Sequence, residues 1–222
     1  ARRFGEGETV SEPTYDASQK ISTTVQRFGD VEVTQTLRFA DALGSGHEDM
    51  LLISYTTKNL SEQDVLVGVR ILLDSELGKD DGGKLYVDGT PLTFEKTYDD
   101  NLPSEWSVVS SDESVTAIGK VTGSPDRVIF ANWDTLYNKK WGYSLNSSEN
   151  ITDSAAAVVW DNRALSAGES REYSVYYGVK NKKEQSSDPD TSKPEDTSKP
   201  DDTSNPEETS KPDDTSNPED TS

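Results

Sequence analysis

The stretch DVLVGVRILLD, residues 64–74, decides which fold this sequence predicts. Apolar side chains recur at every second position of this stretch, at Val65, Val67, Val69, Ile71 and Leu73. Successive side chains of a β-strand point to opposite faces, so a step of two places all five on one face of a sheet. The stretch therefore predicts a β-strand with one buried face.

Other stretches extend this pattern over most of the chain. DVEVTQTLRFA (residues 30–40) and REYSVYYGV (171–179) alternate in the same way, and DMLLISYTTKN (49–59) is typical of a strand buried on both faces at Leu51–Ile53. Clusters of Gly, Asp, Asn and Ser separate these runs at turn-like intervals, and no stretch sustains a helical period. The pattern predicts an all-β fold, a large antiparallel β-sandwich.

Charge and composition limit the partners of the protein. Acidic side chains outnumber basic ones by 42 to 22, and the formal net charge is −20. Such a surface repels nucleic acid and anionic lipid, so we expect neither as a partner. Without cysteine and with one histidine, the chain offers no disulfide framework and no donor set for zinc. It also lacks an apolar run of about 18 residues, so we expect no membrane insertion.

The C-terminal end has a different composition from the rest of the chain. Every Trp, Tyr and Phe lies before residue 188, whereas the end repeats the acidic hexamer [DE][DE]TS[KN]P. Proline opposes helix formation, carboxylates repel one another, and no apolar side chain is present to offset the cost of ordering the backbone. We therefore predict a folded domain at residues 1–183 and a disordered linker at 184–222. The chain stops inside a repeat, so we expect it to be a fragment.

The acidic repeat resembles the Thr/Ser/Pro-rich spacers of Gram-positive bacterial surface proteins. That resemblance implies an extracellular or cell-wall-associated bacterial protein whose folded module stands away from the wall. A linker between the domains of a secreted enzyme is the alternative. Either interpretation makes the repeat a spacer and not a binding site.

Two stretches of the folded part resemble galactose-mutarotase-like supersandwich domains. LLISYTTKNLSEQDVLVGVRILLD (51–74) is similar to their strand–Asn-turn–strand segment, and ALSAGESREYSVYYGV (164–179) to their final strand, which a Leu-x-x-Gly-Glu turn introduces. Residues 31–179 also resemble uncharacterised bacterial extracellular β-sandwich domains, through VGVRILLDSELGKDDGG, PDRVIFANW and YYGV. The first resemblance implies a supersandwich, and the second implies no known activity.

The mutarotase resemblance implies a catalytic histidine on the strand where this chain has RILLD. The only histidine, His47, lies instead in the polar turn GSGHED. We therefore expect no sugar-epimerising activity and favour a non-catalytic protein. Paired carboxylates of a glycoside hydrolase remain an open alternative, because such a pair needs only proximity in space.

One acidic turn is a candidate calcium site. DSELGKDDGG provides Asp74, Glu76, Asp80 and Asp81 within eight residues, with glycines that let the backbone fold around an ion. Carboxylate oxygens are the ligands that Ca²⁺ prefers. The alternative is an ordinary solvated turn in which Asp74 accepts hydrogen bonds from nearby backbone N–H groups.

Tryptophans are the second candidate site. Trp133 and Trp141 bracket the polar stretch WDTLYNKKW, which also contains Asp134, and Trp106 follows a proline in PSEW. Sugar-binding sandwiches use exposed aromatic faces beside polar side chains, because a pyranose ring has an apolar face and a polar edge. The alternative is that these rings pack in the core or anchor loops.

These observations predict a non-catalytic extracellular or cell-surface module for adhesion, scaffolding or polysaccharide contact. Its expected partners are a polysaccharide or another surface protein. The alternatives are a carbohydrate-active enzyme, or its ancillary domain, and a structural stalk domain that calcium makes rigid.

Overall fold

The computed structural model describes residues 1–77, 82–139, 141, 144 and 146–181. Within these residues the chain forms thirteen β-strands and one short helix. In chain order they are β1 (Glu8–Asp16), β2 (Ile21–Phe28), β3 (Val31–Ala40), β4 (Met50–Asn59), β5 (Val65–Asp74), β6 (Lys84–Val87), β7 (Thr90–Pro91), β8 (Lys96–Tyr98), β9 (Glu105–Val109), β10 (Val115–Val121), β11 (Arg127–Asn132), α1 (Trp133–Asn138), β12 (Ser154–Leu165) and β13 (Ser170–Asn181).

The described strands form two antiparallel sheets of unequal size. The large sheet has nine strands in the order β1-β2-β3-β4-β13-β10-β9-β6-β7, and the small sheet has four in the order β5-β12-β11-β8. Side chains from both sheets meet in one apolar core, which includes Trp106, Phe130, Val158, Trp160 and Val175. The predicted all-β fold, a large antiparallel β-sandwich, is confirmed.

Strand β5 has the buried face that its alternation predicted. Val67 and Ile71 are buried, and Val69 and Leu73 pack partly against the core. Among the described strands it pairs with β12 alone, so it lies at an edge of the small sheet.

Strand β4 differs from its prediction. Leu51, Leu52 and Ile53 are each only half-buried, although the apolar run predicted burial on both faces. The strand belongs to the large sheet, and the small sheet covers only part of one face of that larger sheet. An apolar run can therefore occur in a strand that is packed on one side.

The two stretches that resemble mutarotase-like domains meet at Asn59. This residue is fully buried, and its Nδ2 donates hydrogen bonds to the backbone oxygens of Gln63 (2.6 Å) and Leu165 (3.0 Å). Its Oδ1 accepts bonds from the N–H and hydroxyl of Ser61, at 2.9 and 2.8 Å. Its backbone N–H donates to the oxygen of Glu169 at 3.0 Å. One side chain thus joins the β4–β5 and β12–β13 connections.

The short helix α1 covers the outer face of the small sheet. Leu136 is fully buried there against Ile129, Ala131, Ala157 and Val159 of β11 and β12. The sequence pattern did not predict this helix, because its six residues are too few to show a helical period.

The acidic repeat and the predicted boundary between residues 183 and 184 lie outside the described residues, so both stay predictions. Among the described residues, no helix combines the length and the apolar character that crossing a membrane requires.

We predict that Asn59→Asp lowers the free energy of unfolding by about 3 kcal/mol at neutral pH, because a buried carboxylate would face two carbonyl oxygens. Burial raises the pKa of such a carboxyl in the folded protein, so the loss is largest above this raised pKa and shrinks as the pH falls from it toward the ordinary pKa of Asp. Urea denaturation at several pH values measures this. The exposed Asn138→Asp is the matched control and should change stability by no more than about 0.5 kcal/mol. Equal losses in both variants would contradict the role of Asn59.

Candidate functional site

A groove runs along the free edge of β5. Its volume is about 580 Å³, within the range of about 300 to 1,000 Å³ that small-molecule sites occupy. Strand β5 and the helix α1 form one wall, while β3, β4 and the first residues of the chain form the other. The aromatic side chains that line it are Phe4, Phe28, Tyr55, Trp133, Tyr137 and Trp141.

The tryptophans of the groove are held on the small sheet. Trp133 and Trp141 pack partly against the apolar cluster under α1, and both rings remain half-exposed. The Trp133 ring also lies 5.1 Å from the Tyr137 ring, between centroids, and Tyr137 is 40% exposed. The helix therefore presents two neighbouring aromatic rings, with a third ring nearby at Trp141.

The N-terminal segment lies against the opposite wall. The Phe4 ring contacts Tyr55 edge to face, with 5.4 Å between centroids, and the N–H of Gly5 donates to Oε1 of Gln26 at 2.7 Å. The hydroxyl of Tyr55 accepts a hydrogen bond from Nε2 of Gln35 at 2.6 Å. Burial raises the pKa of Tyr55, so its hydroxyl stays protonated at neutral pH. These contacts fix the shape of the wall.

Two arginines bind α1, Arg3 from the opposite wall and Arg70 from β5 on the same wall. The guanidinium of Arg3 lies 4.1 Å above the Tyr137 ring and donates hydrogen bonds to the hydroxyl (2.6 Å) and the backbone oxygen (3.4 Å) of Tyr137. Arg70, on β5, donates to the backbone oxygen of Lys139 at 2.9 Å and to that of Leu136. Burial lowers the pKa of Arg70, and the positive charge of Arg3 lowers it further. The two cations therefore repel each other.

A second cavity, of about 460 Å³, lies on the other side of α1 and is polar. Its acidic lining residues are Glu95, Asp134, Glu149 and Asp153. Glu95 is only 3% exposed, although acidic side chains are rarely buried without partners. This acidic pocket therefore has one buried carboxyl group among the four that line it.

Asn132 holds the floor of the acidic pocket together. Its N–H and Nδ2 both donate to Oε1 of Glu95 at 3.3 Å, and Nδ2 also donates to the backbone oxygen of Asn150. Its Oδ1 accepts bonds from the N–H groups of Thr152 (2.8 Å) and Asp153 (3.1 Å). Asn132 thus connects the end of β11 with the segment before β12.

The structure separates the predicted ligand-binding residues. Trp133 and Trp141 line the same groove, whereas Asp134 is exposed and lines the acidic pocket. Trp106 is 2% exposed and packs edge to face on Phe130 in the core, so it cannot contact a ligand. The candidate role of Trp106 is therefore wrong. A Cβ at Gly119 would lie 2.1 Å from its ring, so glycine is required there.

The predicted calcium ligands are only partly described. Asp74 and Glu76 are exposed at the end of β5, and the hydroxyl of Tyr177 donates to the backbone oxygen of Asp74 at 3.0 Å. Asp80 and Asp81 lie outside the described residues. Within the described part of the chain, no three acidic or imidazole side chains converge as a metal site. The calcium site therefore stays a prediction.

His47 is exposed in the loop between β3 and β4 and lines neither the groove nor the acidic pocket.

The sequence analysis did not predict four residues of the two cavities, namely Arg3, Tyr137, Asn132 and Glu95. Arg70 had a visible signal, because it is the one charged side chain inside the apolar run of residues 65–73.

The comparisons with known proteins show the fold. No protein-family model and no curated protein matches the chain. Three solved structures resemble it: a protein assigned as an aldose 1-epimerase from Escherichia coli K12 (13% identity, TM-score 0.50), a galactose mutarotase related enzyme from Lactobacillus acidophilus (8%, 0.51) and a protein from Synechocystis sp. PCC 6803 (9%, 0.51). The likenesses cover 79–80% of this chain and 69%, 72% and 66% of those proteins, respectively. At such identities a likeness shows the fold alone, so the described residues form a β-sandwich whose fold is similar to that of galactose-mutarotase-like proteins.

Proposed function

We propose that this protein is a non-catalytic carbohydrate-binding module of the bacterial cell surface, with the glycan in the groove along β5. The observation that carries the proposal is the row of half-exposed rings at Trp133, Tyr137 and Trp141 on one wall of that groove. The apolar face of a pyranose ring packs well on such rings.

Both walls offer the polar groups that a sugar also requires. The hydroxyl of Tyr55 on the wall of β3 and β4 and the amide of Asn162 beside β5 lie along the groove, among apolar side chains such as Val33 and Leu66. A few directional polar groups on a mainly apolar surface are typical of small-molecule sites. The groove is therefore suited to one or a few sugar units in contact with both walls.

The solved structures with the same fold support a sugar ligand but not the same reaction. One of them is named as an aldose 1-epimerase and another as a galactose mutarotase related enzyme. Both names refer to sugar substrates. In this chain the single histidine lies in an exposed loop, away from β5 and from the groove. Binding without epimerisation agrees best with that placement.

The cell-surface part of the proposal rests on the sequence of residues 184–222. A charged, proline-rich spacer would hold the module away from the wall, where a polysaccharide or another surface protein could reach the groove. Adhesion or scaffolding through a bound glycan is then the expected role.

We predict that Trp133→Ala and Trp141→Ala each weaken glycan binding by about tenfold, because each removes one stacking surface worth about 1.4 kcal/mol. A glycan array identifies the ligand, and calorimetry on the variants measures the loss. The control is Tyr15→Ala, which removes a 66% exposed ring outside the groove and should leave affinity unchanged. Binding that persists at full strength in both tryptophan variants would place the ligand elsewhere.

The acidic pocket supports a second candidate function, glycoside hydrolysis by paired carboxylates. Such enzymes need one carboxyl group as acid and another as nucleophile or base, about 5 to 10 Å apart. Glu95 is buried beside amide donors, while Asp134 and Glu149 are exposed on the same cavity. This arrangement supplies carboxyl groups in two different environments, as the reaction requires.

Hydrolysis is tested by measuring the release of reducing ends from the polysaccharides that the module binds. If the acidic pocket is catalytic, Glu95→Gln should abolish release without weakening binding in the groove. Glu12→Gln, an exposed change on β1, should leave the rate unchanged. Intact polysaccharide after long incubation with the unmodified protein would exclude this second function.

We also propose calcium as a stabilising ion at Asp74, Glu76, Asp80 and Asp81, which would make the module a rigid stalk. An ion that binds only the folded state stabilises it by RT ln(1 + c/Kd), where c is the free ion concentration, and so raises the melting temperature. We predict a Tm several degrees higher in calcium than in EDTA, and the loss of this shift in Asp74→Asn. The same Tm in calcium and in EDTA would contradict the proposed calcium site.

A further inference from the structure

The groove has a charge opposite to that of the protein. The charged side chains among its described lining residues are Arg2, Arg3 and Arg70, and no Asp or Glu lines it. This occurs in a chain with 42 acidic and 22 basic residues and a net charge of −20. The acidic pocket on the other side of α1 has four carboxylates, so the helix separates two cavities of opposite charge.

The Arg3 guanidinium has no ion-pair partner among the described residues. The partners of its guanidinium are the phenol, the backbone oxygen and the ring of Tyr137, which are all neutral. The five ion pairs found among the described residues do not include Arg3. A cation that neutral partners hold in place is ready to bind an anion.

Arg3 and Arg70 act on the same end of α1. Arg70 binds the backbone oxygens of Leu136 and Lys139, and Arg3 binds that of Tyr137. Their mutual repulsion is part of the reason that the pKa of Arg70 is lowered. An anionic group beside the two guanidinium groups would offset this repulsion and gain charge-assisted hydrogen bonds.

The aromatic rings lie beside this cationic end of the groove. Tyr137 contacts both the Arg3 guanidinium and the Trp133 ring, so the stacking surface and the positive charge are continuous. An acidic sugar unit is complementary to this surface, because it has an apolar ring face and a carboxylate or sulfate at its edge.

We infer that the groove selects an acidic polysaccharide, with the sugar ring on Trp133 beside Tyr137 and its carboxylate or sulfate on Arg3 and Arg70. The inference rests on the proposed function and adds the ligand class to it. The guanidinium fork matches the planar carboxylate of a uronic acid and also binds sulfate oxygens. The net negative charge of the protein opposes the approach of a long polyanion, so short acidic oligosaccharides should bind at least as well as long ones.

The test uses pairs of ligands that share a sugar backbone and differ in charge. A hexamer of galacturonic acid is compared with its methyl ester, and a chondroitin sulfate hexasaccharide with its desulfated form, by calorimetry on the full chain. We expect at least one charged ligand to bind about tenfold more tightly than its less charged partner. In Arg3→Gln this preference should fall to about twofold or less, while the weaker ligand of the pair binds as before.

Arg38→Gln is the matched control, because Arg38 is exposed on β3 and does not line the groove. Arg70→Gln is a second variant, and its melting curve shows whether the loss of the bonds to α1 unfolds the helix region. Equal binding within both pairs, or a preference that survives Arg3→Gln, would overturn the inference and leave glycan binding intact. Binding of no glycan on an array would instead overturn the proposed function itself.

A synthetic peptide of residues 207–218, EETSKPDDTSNP, tests whether the groove binds the acidic repeat of the protein instead of a glycan. If this peptide binds the full chain, displaces the hexamer and loses its binding in Arg3→Gln, the groove holds the acidic repeat and the glycan assignment is wrong. No displacement by the peptide supports the acidic polysaccharide.

Discussion

The chain must pass between its two sheets without leaving buried backbone groups unpaired, and Asn59 satisfies this requirement at the corner where β4 becomes β5 and β12 becomes β13. In the large sheet β4 pairs with β13, and in the small sheet β5 pairs with β12, so two neighbouring strands change sheets together. The Asn59 side chain supplies the hydrogen bonds that the ladder loses at this turn, and its backbone N–H donates to Glu169 across the corner. The positions of β5 and of the groove beside it follow from this corner.

The unequal size of the sheets creates the groove. Nine strands face four, so the small sheet ends at β5 while the large sheet continues through β3, β2 and β1. The inner face of this continuation carries Val31 and Val33, and the N-terminal segment and α1 cover it only in part. A concave surface between a strand edge and an uncovered sheet face therefore follows from the topology, before any ligand is considered.

The sequence predicted what depends on local periodicity and missed what depends on distant contacts. The alternation of apolar and polar residues in 64–74 and 171–179 was enough to predict the strands there. The stretch WDTLYNKKW indicated the two tryptophans that line the groove. Polar residues precede Trp106 in the sequence, as they precede Trp141. Trp106 is nevertheless buried, because Gly119 on the paired strand leaves room for its ring. The contact between Arg3 and Tyr137 joins residues 134 positions apart, so no short-range pattern could predict it.

The helix α1 explains how a strongly acidic protein keeps a cationic groove. With six residues, the helix leaves carbonyl groups at its C-terminal end without helical partners, and its last turn contains no basic residue. Arg70 of β5 and Arg3 of the N-terminal segment supply the missing donors from two separate parts of the chain. Positive charge near a helix C-terminus is stabilising, so both arginines have a structural reason to be there. Pairing Arg3 with a carboxylate of the protein would neutralise it, whereas pairing it with neutral carbonyl and phenol groups keeps its charge available to a ligand.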